Sequence, residues 1–272
     1  GRSITRSGNV TQGTFNPFLG DGYYSVYSDS TDDSGTDFPY YRVTEGTDFD
    51  LNGQFSVECW FYAVAAMSWG IFITGNGGTD SFQIAVDDSD TIDIRFNGTA
   101  NEYGGYSITR NVWTHFLITR DSNNYIRSFL NGVLKSYNSN SGTPDLSGID
   151  FISRAGDNPF LGYLTEFRFI NGSIPTSYQT SSSTTGTTIF SPPSSPITLT
   201  SQGATSSDVK LLTAQSNRHV DNSSNAQTIT VTNTPKIIPF SPYAPSASYS
   251  ESVHGGSAYF DGTGDRLTVV GG

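Results

Sequence analysis

The sequence of 272 residues holds one cysteine, Cys59, and one methionine. A single cysteine excludes an intrachain disulfide, so stability has to come from a packed core. Charged residues make up only 14%, and five of them are Glu. So few strong helix formers exclude a helical bundle. Lys and Arg number 14 against 25 Asp and Glu, a formal net charge of −11. Without a basic footprint the chain is not expected to bind nucleic acid or an anionic membrane surface. No apolar run approaches about 18 residues, which excludes a membrane-spanning helix. The first residue is Gly rather than Met and no signal peptide is recognisable, so a piece of a longer or processed chain is expected.

What is abundant is Ser, Thr, Asn, Gly and Asp, the composition of a turn-rich β protein. Residues 113–135 carry the clearest pattern. Trp113, His115, Leu117 and Thr119 alternate with Thr114, Phe116, Ile118 and Arg120, as on the two faces of a strand. Asp121-Ser122-Asn123-Asn124 reads as a turn, 125–130 as a second strand, and Asn131-Gly132 as a tight hairpin into a third. The same alternation runs through 55–63, where Phe55, Val57, Cys59 and Phe61 share one face. In 160–170, Leu161, Tyr163, Thr165, Phe167 and Phe169 are expected opposite Gly162, Leu164, Glu166 and Arg168. About eleven short strands between 23 and 170 predict an all-β antiparallel sandwich.

The remainder divides by composition. Residues 179–208 are rich in Ser, Thr and Pro and read as a linker. Residues 209–256 read as a small β spacer module. The two ends of the chain echo one another. Ile4-Thr5, Phe15 and Pro17 match Ile229-Thr230, Phe240 and Pro242, all offset by 225. Ser25 and Asp33 match Ser257 and Asp265, offset by 232. The second copy carries about seven more residues between the two blocks, and after the second block the first copy carries an insertion around Gly35 to Pro39. This predicts a tandem array. Residues 1–22 would be the tail of a preceding linker module and 23–178 the sandwich. Residues 257–272 would be the first strand of a following sandwich or a strand donated to a neighbour.

Four motifs in order carry a resemblance: Phe55-Ser56-Val57-Glu58-Cys59-Trp60-Phe61, Trp113 to Phe116 with Thr119-Arg120, Phe129 to Gly132, and Gly162 to Arg168. Together they resemble the concanavalin A-like, laminin-G-type jelly rolls. The spacer motifs around Val209 to Ser224, Pro239 to Pro245 and Gly255 to Asp265 resemble the segments between tandem laminin-G-like domains. Such domains occur in structural proteins of marine tailed phages and in bacterial surface adhesins. The resemblance implies a virion appendage such as a tail fibre, or an extracellular or cell-surface fibre. Its partners would be other copies of itself, neighbouring structural proteins or host cell-surface glycans.

Catalytic chemistry finds little support in the residues. The related laminarinase-type glycoside hydrolases need two carboxylates close together on one face. Here Glu58 and Glu166 are each the only acid on their strands. No nucleophile elbow, phosphate loop or paired Cys/His spacing occurs. A non-enzymatic module is therefore expected. For glycan binding the candidate rim aromatics are Trp69, Tyr103 and Tyr106. For calcium the candidates are Asp87, Asp88 and Asp90 in one turn, with Asp29, Asp32 and Asp33 in another. A solvated, turn-capping role remains the alternative for both acidic turns.

Overall fold

The computed structural model of the chain describes residues 4–7, 11–13, 21–28, 39–44, 47–75, 82–96, 103–144, 146, 148–152, 160–233, 235–243, 257–259, 264 and 266–269. The chain forms two compact units, residues 21–243 and residues 1–20 together with 244–272. No α-helix occurs among the described residues, only 3-10 turns such as Thr176–Tyr178 and Ser201–Gly203.

In chain order the strands are β1 (Ile4–Ser7), β2 (Thr11–Gly13), β3 (Ser25–Ser28), β4 (Tyr40–Thr44), β5 (Phe55–Ala63), β6 (Trp69–Gly75), β7 (Phe82–Asp87), β8 (Thr91–Phe96) and β9 (Tyr106–Ser107). They continue as β10 (Thr114–Arg120), β11 (Tyr125–Leu130), β12 (Val133–Ser139), β13 (Gly148–Phe151), β14 (Gly162–Asn171), β15 (Val209–Thr213), β16 (Ile229–Thr232), β17 (Lys236–Ile238), β18 (Ser257–Tyr259) and β19 (Arg266–Val269).

The larger unit is a sandwich of two antiparallel sheets. The eight-stranded sheet runs β12-β11-β10-β5-β14-β3-β17, with β15 also on β14; the seven-stranded sheet runs β16-β4-β13-β6-β7-β8-β9. Their inner faces supply one continuous core that includes Phe55, Val57, Cys59, Phe61, Phe72, Ile84, Ile94, Phe116, Ile118 and Phe151. The predicted alternation in β5 and β10 places Phe55, Val57, Cys59, Phe61, Phe116 and Ile118 inward. The Asn131-Gly132 turn closes β11 on β12 with both residues at positive φ, 49° and 79°. Positive φ at both central positions is the geometry of a type I′ hairpin.

Strand β14 departs from the expected alternation. A β-bulge between Thr165 and Arg168 leaves Glu166 at φ 56°. The extra residue shifts the phase, so Leu164 ahead of it and Phe167 and Phe169 behind it all enter the core. Before the bulge β14 pairs with β3, and beyond it with β15.

The Ser/Thr/Pro-rich stretch is not a free spacer. Residues 173–204 run as a strap over the outer face of the eight-stranded sheet, which is why every residue of β10 is buried. Ile174, Tyr178 and Phe190 pack there with Leu117, Phe129 and Leu134. Ile197 and Ala204 pack with Ile170, Val209 and Leu212. Backbone bonds fix the path, Leu134 N–H to the Thr187 carbonyl at 2.9 Å and Ile189 N–H to that of Gly132 at 2.9 Å. The segment expected as a separate spacer divides differently. Its β15, β16 and β17 extend both sheets of the sandwich, while 244–256 lies outside the described residues.

In the smaller unit β1 pairs with β19 and β2 with β18.

Candidate functional site

The expected rim aromatics are not brought together. Tyr103 is fully buried, its ring edge-on to Phe96 at 6.2 Å. A buried ring offers no face to a sugar, so Tyr103 serves the core. Tyr106 packs against the same core, and burial pushes its phenol up. Trp69 is half-buried; its indole donates to Gln83 Oε1 at 3.2 Å and the Arg95 guanidinium lies 4.8 Å from its ring.

The three aspartates form a structural turn. Asp87 Oδ1 accepts the backbone N–H of Ser89 and Thr91 at 3.0 and 2.8 Å. Asp88 accepts the Ser89 hydroxyl at 3.2 Å, and Asp90 pairs with Arg110 at 2.8 Å. Among the described residues no group of three or more His, Cys, Asp or Glu is placed to hold a metal ion. Asp29, Asp32 and Asp33 lie outside the described residues.

A cleft of about 510 Å³ opens elsewhere, between the strap and the β10–β11 end of the eight-stranded sheet. Asp121, Ser122 and Asn123 of the turn, Tyr125, Arg127 and Tyr137 of the hairpin, and Gln179, Thr180 and Ser181 of the strap line it. Antiparallel register sets Arg127 opposite Tyr137. Tyr125 and Tyr137 stack with centroids 4.9 Å apart and planes inclined by 19°. The Arg127 guanidinium lies 5.8 and 5.0 Å from the two rings. It also donates to Asp121 Oδ2 at 2.6 Å and to the Ser182 carbonyl at 3.0 Å. Burial pushes the Asp121 carboxyl up, but Arg127 and two backbone N–H donors outweigh it and hold the group below its usual range.

This arrangement combines a broad aromatic surface with amides, hydroxyls and a fixed ion pair. Such a set can stack on an apolar ring face and exchange hydrogen bonds with hydroxyls around it. Part of the signal lay in the sequence: Tyr125 and Arg127 alternate onto one face, but it is the bulge between Ser128 and Phe129 that shifts the hairpin register and brings Tyr137 opposite Arg127. The wall contributed by the strap carried no such signal.

Two buried carboxylates sit under the strap. Glu58 accepts Arg168 Nε at 2.8 Å, His115 Nε2 at 3.0 Å and the Tyr178 hydroxyl at 2.6 Å. Burial pushes Glu58 up, but these partners outweigh it and hold it down to about 2. Glu166 accepts the Ile197 N–H at 2.6 Å and Gln215 Nε2 at 2.9 Å, and burial pushes it up to about 8. Both are 1% exposed or less. Neither lines the cleft.

The comparisons agree with this architecture. The family described as the concanavalin A-like lectin/glucanases superfamily matches residues 34–177, more than half of the chain. The chain belongs to this superfamily. Among solved structures, a "putative carbohydrate binding protein" from Bacteroides ovatus is 13% identical with a TM-score of 0.50, covering 81% of this chain and 60% of that one. A pentraxin from Limulus polyphemus is 15% identical with a TM-score of 0.43, covering 56% of this chain and 77% of that one. The binding domain of a botulinum neurotoxin DC, solved with rat synaptotagmin II, is 14% identical with a TM-score of 0.43, covering 62% of this chain. The chain spans only 42% of that last protein. At these identities the likeness is one of fold. A search of curated protein sequences found no match. Among the described residues no helix is long and apolar enough to cross a membrane.

Proposed function

We propose that the chain is a non-enzymatic glycan-binding module, and that it binds through the Tyr125–Arg127–Tyr137 cleft. The observation that carries this reading is the stacked tyrosine pair at the mouth of a polar cleft. The pair is held in place by an arginine that both rings and Asp121 share. Superfamily membership supports a saccharide as the ligand class. The placement of Glu58 and Glu166 supports a binding role over hydrolysis. Both Glu58 oxygens and Glu166 Oε2 are taken by protein donors and both groups are buried beneath the strap, whereas a glycosidase needs two carboxylates flanking an accessible bond. The setting we propose is a repeat-containing virion appendage or another extracellular fibre, with avidity across copies strengthening a weak single site. A bacterial surface adhesin is the alternative setting for the same cleft.

A glycan array followed by calorimetry on the best binder tests this. Tyr125→Ala and Tyr137→Ala are expected to weaken binding at least about tenfold. Trp69→Ala, on the other sheet, is expected to leave it unchanged. Full binding by both tyrosine variants would sink the assignment of the cleft. Release of reducing ends from a β-glucan, abolished by Glu58→Gln or Glu166→Gln, would overturn the non-enzymatic reading.

A further inference from the structure

The sandwich is closed by two strands that arrive late in the chain. Strand β17 pairs with β3 as Lys236↔Tyr27, Ile237↔Val26 and Ile238↔Ser25. Strand β16 pairs with β4 from Ile229↔Val43 to Thr232↔Tyr40. We call β3 and β4 the opening strands and β16 and β17 the closing strands.

The smaller unit repeats this closure. The offset of 225 carries the closing strands onto β1 and β2, and the offset of 232 carries β3 onto β18. Under those offsets the β17–β3 register becomes Thr11↔Tyr259, Gln12↔Ala258 and Gly13↔Ser257, which is the register observed for β2 and β18. The β16–β4 register becomes Ile4↔Val269 through Ser7↔Arg266, as observed for β1 and β19, when β4 is carried by a smaller offset. There β4 maps onto β19 at an offset of 226, six less than 232. The difference matches residues 34–39, which the first copy has in addition.

The two closures differ in chain order. In the sandwich the opening strands precede the closing ones. In the smaller unit the closing strands β1 and β2 come first, and the whole sandwich lies between them and their opening partners. The same pairing therefore forms in either order, so the strands need not share a sandwich to find one another. We infer that the closing strands β1 and β2 of one copy of this chain pair with the opening strands β18 and β19 of another. The partner is thus a second copy, and the interaction is main-chain strand addition in the register given above. Because the two participating surfaces are different, the contact is heterologous and propagates head to tail into a fibre unless the rotation closes a ring. The intrachain pairing is its competitor, favoured at low concentration.

Paired cysteines in the full chain test this, with Cys59 as a silent background since it is buried and burial pushes its thiol well up. The Thr5→Cys/Thr268→Cys double variant, oxidised in dilute solution, is expected to form an intrachain disulfide. Equimolar single variants, Thr5→Cys with Thr268→Cys, are expected to give a disulfide-linked heterodimer on a non-reducing gel, increasing with concentration. Thr5→Cys mixed with Arg266→Cys, two residues out of register, is expected to give at most a tenth of that product. Cross-linking of the double variant without any heterodimer would overturn pairing between copies. Absence of both products, or equal yield from the out-of-register mixture, would overturn the register itself. None of these outcomes bears on glycan binding by the sandwich.

Discussion

Arg168 Nη2 lies 2.5 Å from Glu58 Oε1 on the outer face of the eight-stranded sheet, with both side chains 1% exposed or less. The other end of the guanidinium donates to the carbonyls of Thr198 and Ser201 at 2.8 and 3.0 Å. One ion pair thus joins β5 and β14 to the strap. A buried charge left without its partner is costly, about 3–5 kcal/mol. Arg168→Met is expected to lower stability by that order, read as the midpoint of urea unfolding. Glu58→Gln is expected to do the same, because it leaves the guanidinium and His115 facing a neutral amide. A double variant replacing both by apolar residues is expected to recover part of the loss, and full additivity would show that the two do not act as a pair.

Gly132 anchors the strap from the other side. A β-carbon there would lie 1.9 Å from the Phe190 carbonyl oxygen, and the residue sits at φ 79°. Phe190 packs against Tyr178 at 4.5 Å and Phe129 at 5.5 Å. Gly132→Ala is expected to destabilise by about 1–3 kcal/mol and to loosen residues 179–190. Limited proteolysis within that stretch is the measurement, and the same variant should weaken glycan binding, since the strap forms one wall of the cleft. Unchanged protease resistance would mean the strap is held without this close approach.

Glu58 and Glu166 predict opposite slopes of stability with pH. Glu166 is raised to about 8, so the folded state holds a proton that the unfolded chain has released. Its contribution is complete below the ordinary carboxylate range and is lost as pH rises through about 8. Glu58 is lowered to about 2, so its contribution is complete above the ordinary range and is lost as pH falls toward 2. These two groups together place the optimum near pH ~4.5. Melting temperatures across pH 3–9 should fall on both sides of it, and Glu166→Gln should flatten the alkaline side alone. An unchanged alkaline slope in that variant would assign it to other groups.

The comparison between sequence and structure turns on which signals are local. Alternation in β5 and β10 was legible because a strand facing a core repeats every two residues. Asn131-Gly132 was legible because a two-residue hairpin demands positive φ at both positions. The repeat at offsets 225 and 232 was legible as sequence. The pairing partners of those repeats were not, since strand pairing across some 200 residues leaves no local trace.

For the site, the sequence supplied half. Strand alternation sets Tyr125 and Arg127 on one face, but only the bulge between Ser128 and Phe129 brings Tyr137 opposite Arg127. The sequence also suggested Trp69, Tyr103 and Tyr106, aromatic residues near Gly-rich turns, where an aromatic serves a core and a rim equally well. Tertiary packing decided between those uses and buried Tyr103. In β14 the inserted residue at Glu166 reversed the faces that strict alternation had assigned.

By itself the sequence determined a two-sheet antiparallel sandwich without disulfides, because composition, period and turn chemistry act within a few residues. Only the tertiary structure decided that residues 173–204 are a strap. Ser, Thr and Pro carry no periodicity, and their meaning depends on the outer sheet face that Phe190, Ile197 and Tyr178 cover. The cleft beside Tyr125 exists because that strap returns to the sheet, a long-range event that no window of the sequence records.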